Sequence, residues 1–470
     1  MVYKRRLDKR GWESRGGLIT LLREQRQKSM STEELTQAIH EGQELLKQRQ
    51  YAGALEAFER ALALDSKQAS VWSSKGITLL CLRRPQEAVA AFERAVQVDR
   101  NDASAYHNLG NTLTLLRRHE EALYAYGRAI YLNPDQVGSY IGKSSVLLQL
   151  QNERDALTAA EQAIELDRNN ALAHRNKAEA LSRLSRYDRA LAAYSWTLRL
   201  APNDAAAHFG KGNVLTHLKR YEDAIASYDQ AIALDANNGG MYLNKSKALA
   251  KLKRYDESLA VCERALAVDE KDVLAWYHKA QVLKRLKRYE EVLAAFEATL
   301  RLKPLLRQAR TGKGEALLAL KRYQEVLDFC QQTLQLEMPS RATYAQKAEA
   351  LVRLQRYQEV LDLCDRLDGG QRFDYHGTGL YKAQALMALK RYEEACESYD
   401  HARVTGNEWG GSKEYRRRAE QGYLMALLHL GRYRDALDTY RADRRWKRHL
   451  AKQRLTWNED ESEPEDWVPL

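Results

Sequence analysis

Residues 103–136 read ASAYHNLGNTLTLLRRHEEALYAYGRAIYLNPDQ, thirty-four letters containing two amphipathic halves. In the first half Tyr106, Leu109, Gly110, Leu113 and Leu116 recur at intervals of three and four, the spacing of one helix face. In the second half Ala122, Tyr126, Ala129 and Leu132 do the same, and Asn133-Pro134 closes the stretch with a turn signal. The same phase then runs along the chain. Lys-Arg-Tyr stands at 219–221, 253–255, 287–289 and 321–323, and returns at 390–392. A fixed period of 34 residues marks a stack of identical helix-turn-helix units, each burying its apolar faces against its neighbours.

Counted in that period, repeats begin at Leu35, Ala69, Ala103, Val137, Ala171, Ala205, Gly239, Val273, Arg307 and Arg341. Two more begin near His376 and Arg417, after short insertions. Position 8 is small, as in Gly42, Gly76, Gly110, Ser144, Ala178 and Gly212, and position 20 is usually alanine. Small residues there let the two helices of a repeat approach closely, while aromatics at position 24 fill the space around them. Acidic residues near the end of each second helix (Asp65, Asp99, Asp167, Asp235 and Asp269) mark the inter-repeat turn.

This pattern of aromatic, glycine, alanine, aromatic, alanine and proline resembles the tetratricopeptide repeat family, over roughly residues 35–442. The resemblance implies an all-α, right-handed superhelical solenoid of about twelve helix-turn-helix repeats that acts as a scaffold for other proteins. The expected organisation is a basic arm over 1–34 and the repeats over 35–442. A basic capping helix over 443–457 and an acidic tail over 458–470 follow.

Composition agrees with such an array. Charged residues make up 30% of the chain and only seven of its 470 residues are proline, as suits helices with solvated faces. No stretch approaches about 18 consecutive apolar residues, so a membrane span is not expected, and the opening residues lack the apolar core of a secretory signal. The expected location is the cytoplasm. The formal net charge of +11 is concentrated at the ends: residues 1–29 carry +6, residues 441–454 another +6, and Glu459 to Asp466 return −6.

Five cysteines, at 81, 262, 330, 364 and 396, form no Cys-x-x-Cys pair, and three of them occupy position 24 as buried thiols. The histidines form no metal-binding spacing, and no phosphate loop or nucleophile elbow occurs. No cofactor, no metal and no catalytic residue is therefore expected, and the chain is read as a non-enzyme.

Two basic ladders run through the repeats. Lys and Arg at positions 15–16, such as Arg83-Arg84 and Lys219-Arg220, are expected at the end of the first helix, facing acidic pairs at positions 18–19 and complementing both helix dipoles. Lys at position 7 (Lys75, Lys143, Lys177, Lys211 and onward) is expected to lay its stem on the neighbouring helix with its amine in solvent.

In the family, positions 2, 5, 6, 9, 12 and 13 line the concave groove. Carried onto this chain, they propose a partner-binding set of Asn213, Asn244, Lys247, Lys251, Tyr277, His278, Lys284 and Arg285. Asn108, Asn176 and Asn244 share position 6, and Asn111 and Asn213 share position 9, echoing asparagines that hold an extended peptide backbone in relatives. The two-carboxylate clamp of chaperone-binding relatives is incomplete, because Phe209, Leu274 and His278 replace its basic residues. The expected partner is a protein or peptide, acidic in character. The alternative is a nucleic-acid-binding adaptor using the basic ends and repeats 7–8.

Overall fold

The computed structural model describes residues 32–336, 340–368, 378–408 and 413–442. The basic arm to residue 31, the basic cap at 443–457 and the acidic tail lie outside them. Every regular element among the described residues is an α-helix, and the helices follow the 34-residue phase as far as Tyr357–Asp368. Two compact units divide the chain within repeat 7, at Leu252/Lys253. The first holds repeats 1–6 and the first helix of repeat 7; the second holds the helices from Tyr255 onward.

A repeat consists of a first helix such as Ala103–Leu115 and a second such as His119–Leu132. The connection between them is a Schellman turn. In repeat 2 the Arg84 N–H donates to the Leu79 carbonyl at 2.9 Å, and the Arg83 N–H to the Leu80 carbonyl at 3.0 Å. Arg83 thereby takes φ +58°, and position 15 is left-handed again at Arg117, Lys219, Lys253, Lys287 and Lys321. The last repeat places Gly431 at this point, with φ +71°, the residue that adopts this conformation without steric cost. Positions 15 and 16 are thus turn residues and not the end of the first helix as the sequence suggests. Position 16 supplies the N-cap of the second helix, and its guanidinium forks onto the acid at position 19, as in Arg118 with Glu121 at 2.6 Å. The pairs are solvent-exposed and contribute little stability.

Between repeats, an aspartate or asparagine at position 31 accepts from the backbone two residues on, as Asp99 does from the Asn101 N–H at 2.9 Å. Position 34 then caps the next first helix, with Asp102 accepting from the Ala105 N–H at 2.9 Å. These two side chains set the entry of each repeat.

The core follows from the ring at position 24. A Cβ built at Gly110 would lie 2.8 Å from the Tyr126 ring, and one at Gly142, position 6 of the next repeat, only 2.4 Å from it. Phe296 meets Gly312 of the following repeat in the same way, at 2.2 Å. Each ring therefore plugs a gap between two first helices, and Phe58, Phe92 and Phe296 are fully buried there. Repeat 9 solves the problem differently. Its position 24 is Cys330, and Gln346 of the next repeat fills the space, so that a Cβ at Gly314 would meet the Gln346 amide at 2.1 Å. Burial pushes the Cys330 thiol up to about 12, so this cysteine is packing material.

The lysines at position 7 do more than cover a neighbouring helix. Lys75 bonds Glu59 at 2.9 Å, Lys177 bonds Glu161 at 2.9 Å and Lys245 bonds Asp229 at 2.5 Å. Lys279 with Glu263 and Lys313 with Glu297, both at 2.8 Å, and Lys382 with Asp365 at 3.3 Å continue the series. Every acid is position 25 of the preceding repeat. Lys347 meets Gln331 instead, at 3.3 Å. The lysines keep only 18–31% of their side-chain surface, so these rungs are half-buried ties between successive repeats.

No described helix is long and apolar enough to cross a membrane. The packing predicts opposite signs for two glycine substitutions. Gly312→Val, driven into Phe296, should lower stability by about 1–3 kcal/mol. Gly127→Ala, in a helix interior with nothing within 4 Å of the new Cβ, should raise it by about 0.5–1 kcal/mol. Chemical unfolding of the two variants checks both.

Candidate functional site

The first helices of repeats 5, 6 and 7, Ala171–Arg183, Ala205–His217 and Gly239–Lys251, border a cavity of about 730 Å³ in the first unit. Its lining repeats the expected positions. Glu179 and Arg183 come from repeat 5, Phe209, Gly210, Asn213 and His217 from repeat 6, and Asn244 and Lys247 from repeat 7. The rings of Tyr194 and Tyr228, at position 24, form the floor.

Asn213 is the hub. Its Oδ1 accepts from the Tyr228 hydroxyl at 2.9 Å and from the Asn244 Nδ2 at 2.9 Å. The same tyrosine–asparagine contact occurs three repeats earlier, where Tyr126 donates to Asn111 at 2.7 Å. Within the protein these bonds leave the Asn213 Nδ2 as a donor and the Asn244 Oδ1 as an acceptor, both on the cavity wall.

The neighbouring walls are locked. Arg183 donates to the Leu148 carbonyl and pairs with Glu179. His217 stacks on Tyr187, ring centroids 4.7 Å apart and 7° from parallel. Phe209, where chaperone-binding relatives carry a basic residue, leans on Tyr228 with centroids 5.9 Å apart. It makes one wall apolar.

Not every asparagine at position 6 serves the groove. Asn176 is buried, and its Nδ2 donates to the Ile141 carbonyl at 3.2 Å and to the Ser145 hydroxyl at 2.8 Å. Its amide donor ties repeat 5 to repeat 4, as that of Asn244 ties repeat 7 to repeat 6, but Asn176 is buried where Asn244 lines the cavity.

Of the eight residues proposed from sequence, Asn213, Asn244 and Lys247 line this cavity, and Lys251 is exposed on the same helix as the last two. The other four belong to the second unit. There Tyr277 packs against Phe296 with centroids 6.0 Å apart, His278 is half-buried, Lys284 pairs with Glu315, and Arg285 is exposed. Sequence reasoning missed Tyr194 and Tyr228 as groove residues because position 24 reads as core. Gly210 was the available signal: a Cβ there would stand 2.3 Å from the Tyr194 hydroxyl, so only a residue without one lets that hydroxyl reach the groove.

Models of the tetratricopeptide repeat match the chain at 40–97, 103–136, 137–170, 159–192, 177–239, 215–282 and 273–304. Together these matches cover more than half of it. The chain belongs to the tetratricopeptide repeat family.

Solved structures similar to this tetratricopeptide repeat protein include YrrB, described as a TPR protein with an unusual peptide-binding site. It is 22% identical, with 39% of this chain and 94% of that one covered, at a TM-score of 0.35. A tetratricopeptide repeat protein from Parabacteroides merdae is 15% identical, with 57% and 99% covered, at 0.43. Pseudomonas aeruginosa pilF is 19% identical, with 47% and 99% covered, at 0.41. No curated protein matches the chain. Among the described residues, no group of three or more His, Cys, Asp or Glu is arranged to hold a metal ion.

Burial pushes the Tyr228 hydroxyl up to about 12 and raises that of Tyr194 as well. A raised folded-state value stabilises the fold below pH 10, and that contribution is lost as pH rises from 10 towards 12. Each such tyrosine then costs at most about 1.4 kcal/mol per pH unit. Unfolding midpoints should fall steeply over this range, and Tyr228→Phe should make the fall shallower.

Proposed function

We infer that the groove of repeats 5–7 binds an extended segment of a partner protein, and that the chain works as an interaction scaffold. The observation that carries this reading is the Asn213–Asn244 pair. It presents one unused donor and one unused acceptor side by side over an aromatic floor. An extended backbone offers the complementary carbonyl and N–H, and its side chains can enter the pockets on either side. Lys247 and Lys251 on the rim favour acidic residues in that segment, by attraction that salt screens over about 8 Å at physiological strength.

The nucleic-acid reading has less support. The arginines at position 16 are engaged by their own carboxylates, and Lys284 is paired with Glu315. The basic ends lie outside the described residues.

Selection of peptides from a random library on the full-length protein tests the proposal. Asn244→Ala keeps the Tyr228–Asn213 bond, so the fold should hold while affinity for the selected peptides falls about fivefold to tenfold. The double change Lys247→Glu and Lys251→Glu should shift selection away from acidic sequences. Peptides that bind all variants as they bind the parent would exclude this groove as the site.

A further inference from the structure

The position 7–25 rungs are interrupted in the first unit. Lys211 of repeat 6 faces Ser195, and Lys143 of repeat 4 has Gly127 in the corresponding place. Neither lysine forms an ion pair among the described residues, although both are half-buried like their paired counterparts.

Lys211 borders a cavity. It measures about 420 Å³ and lies between the second helix of repeat 5, Tyr187–Leu200, and both helices of repeat 6. Leu191, Ser195, Lys211 and Gln230 are among the residues that line it, and it shares no residue with the peptide groove. Arg220, Asp223 and His208 in its wall have partners of their own. Arg220 holds Asp223 at 2.7 Å, and the His208 ring bonds the Pro202 carbonyl at 2.9 Å. The Ser195 hydroxyl donates to the Leu191 carbonyl at 2.8 Å. Lys211 is therefore the one wall cation left without a counter-charge.

We propose that this cavity is a second binding site, a socket for the carboxylate of an acidic side chain on a partner protein. The chemistry is set by the molecule's own rungs. At six equivalent places a Glu or Asp fills the position next to the lysine. At repeats 5–6 serine takes that place, and the carboxylate comes from outside. A half-buried ammonium between two helices is partly shielded from water, so it selects an anion more strongly than a free surface lysine does. The socket and the groove then give a partner two separate points of attachment, which multiplies apparent affinity when both are engaged.

Residue-specific acetylation of the full chain with an activated acetate ester, followed by peptide mass spectrometry, tests this. Lys211 should react about threefold faster than the paired Lys177. End-blocked tetraglutamate should slow Lys211 saturably and leave Lys177 unchanged. Ser195→Glu, which completes the rung, should bring Lys211 down to the Lys177 rate and remove the tetraglutamate effect. Glutarate at equal carboxylate concentration should protect less. The proposal fails if tetraglutamate leaves Lys211 unchanged, slows Lys177 equally, or does no better than glutarate.

Discussion

The contact on which the structure depends is an aromatic ring pressed against glycine. Tyr126 lies against Gly110 of its own repeat and Gly142 of the next, so close that no Cβ fits at either position without movement. That contact sets the approach of two successive first helices, and hence the spacing of everything those helices carry. Phe296 against Gly312 does the same in the second unit. Where the ring is missing, as at Cys330, a side chain of the next repeat takes its volume. Packing at native density leaves no third option, because an unfilled ring-sized void costs several kcal/mol.

The groove grows out of the same contact. Tyr194 and Tyr228 are core rings along most of their surface, yet their hydroxyls reach the cavity because Gly210 and Asn213 stand over them. Tyr228 fixes Asn213, and Asn213 fixes Asn244. The amide pair is thereby held by the fold's own architecture, and in the function we propose this lowers the entropy lost on binding. Variation at the position that covers each ring decides what the repeat offers. Glycine exposes a hydroxyl, asparagine presents an amide, and a buried asparagine such as Asn176 ties two repeats together.

Much of this was legible in the sequence. The 34-residue phase and the small residues at position 8 declare themselves by recurrence, and turn acids such as Asp99 and Asp235 declare themselves locally, because each acts within a few residues of its partner. The groove positions were legible through the family pattern, and Asn213, Asn244 and Lys247 do meet in one cavity. What escaped was non-local. The pairing of Lys75 with Glu59 joins residues on different helices of different repeats, and no periodicity within one helix announces it. The left-handed conformation at Arg83 was hidden because a basic residue stands where glycine would have signalled it. Asn176 and Asn244 share a position, and only the depth of their surroundings separates a buried amide from one that lines the cavity.

In the function we propose, the first helices of repeats 5–7 are the surface a partner occupies. Hydrogen–deuterium exchange of the full-length protein, with and without a peptide selected for binding, tests it most directly. Exchange should slow in 171–183, 205–217 and 239–251, with the second helices 221–234 and 187–200 changed less. Protection concentrated in those second helices, or spread evenly over both units, would contradict it.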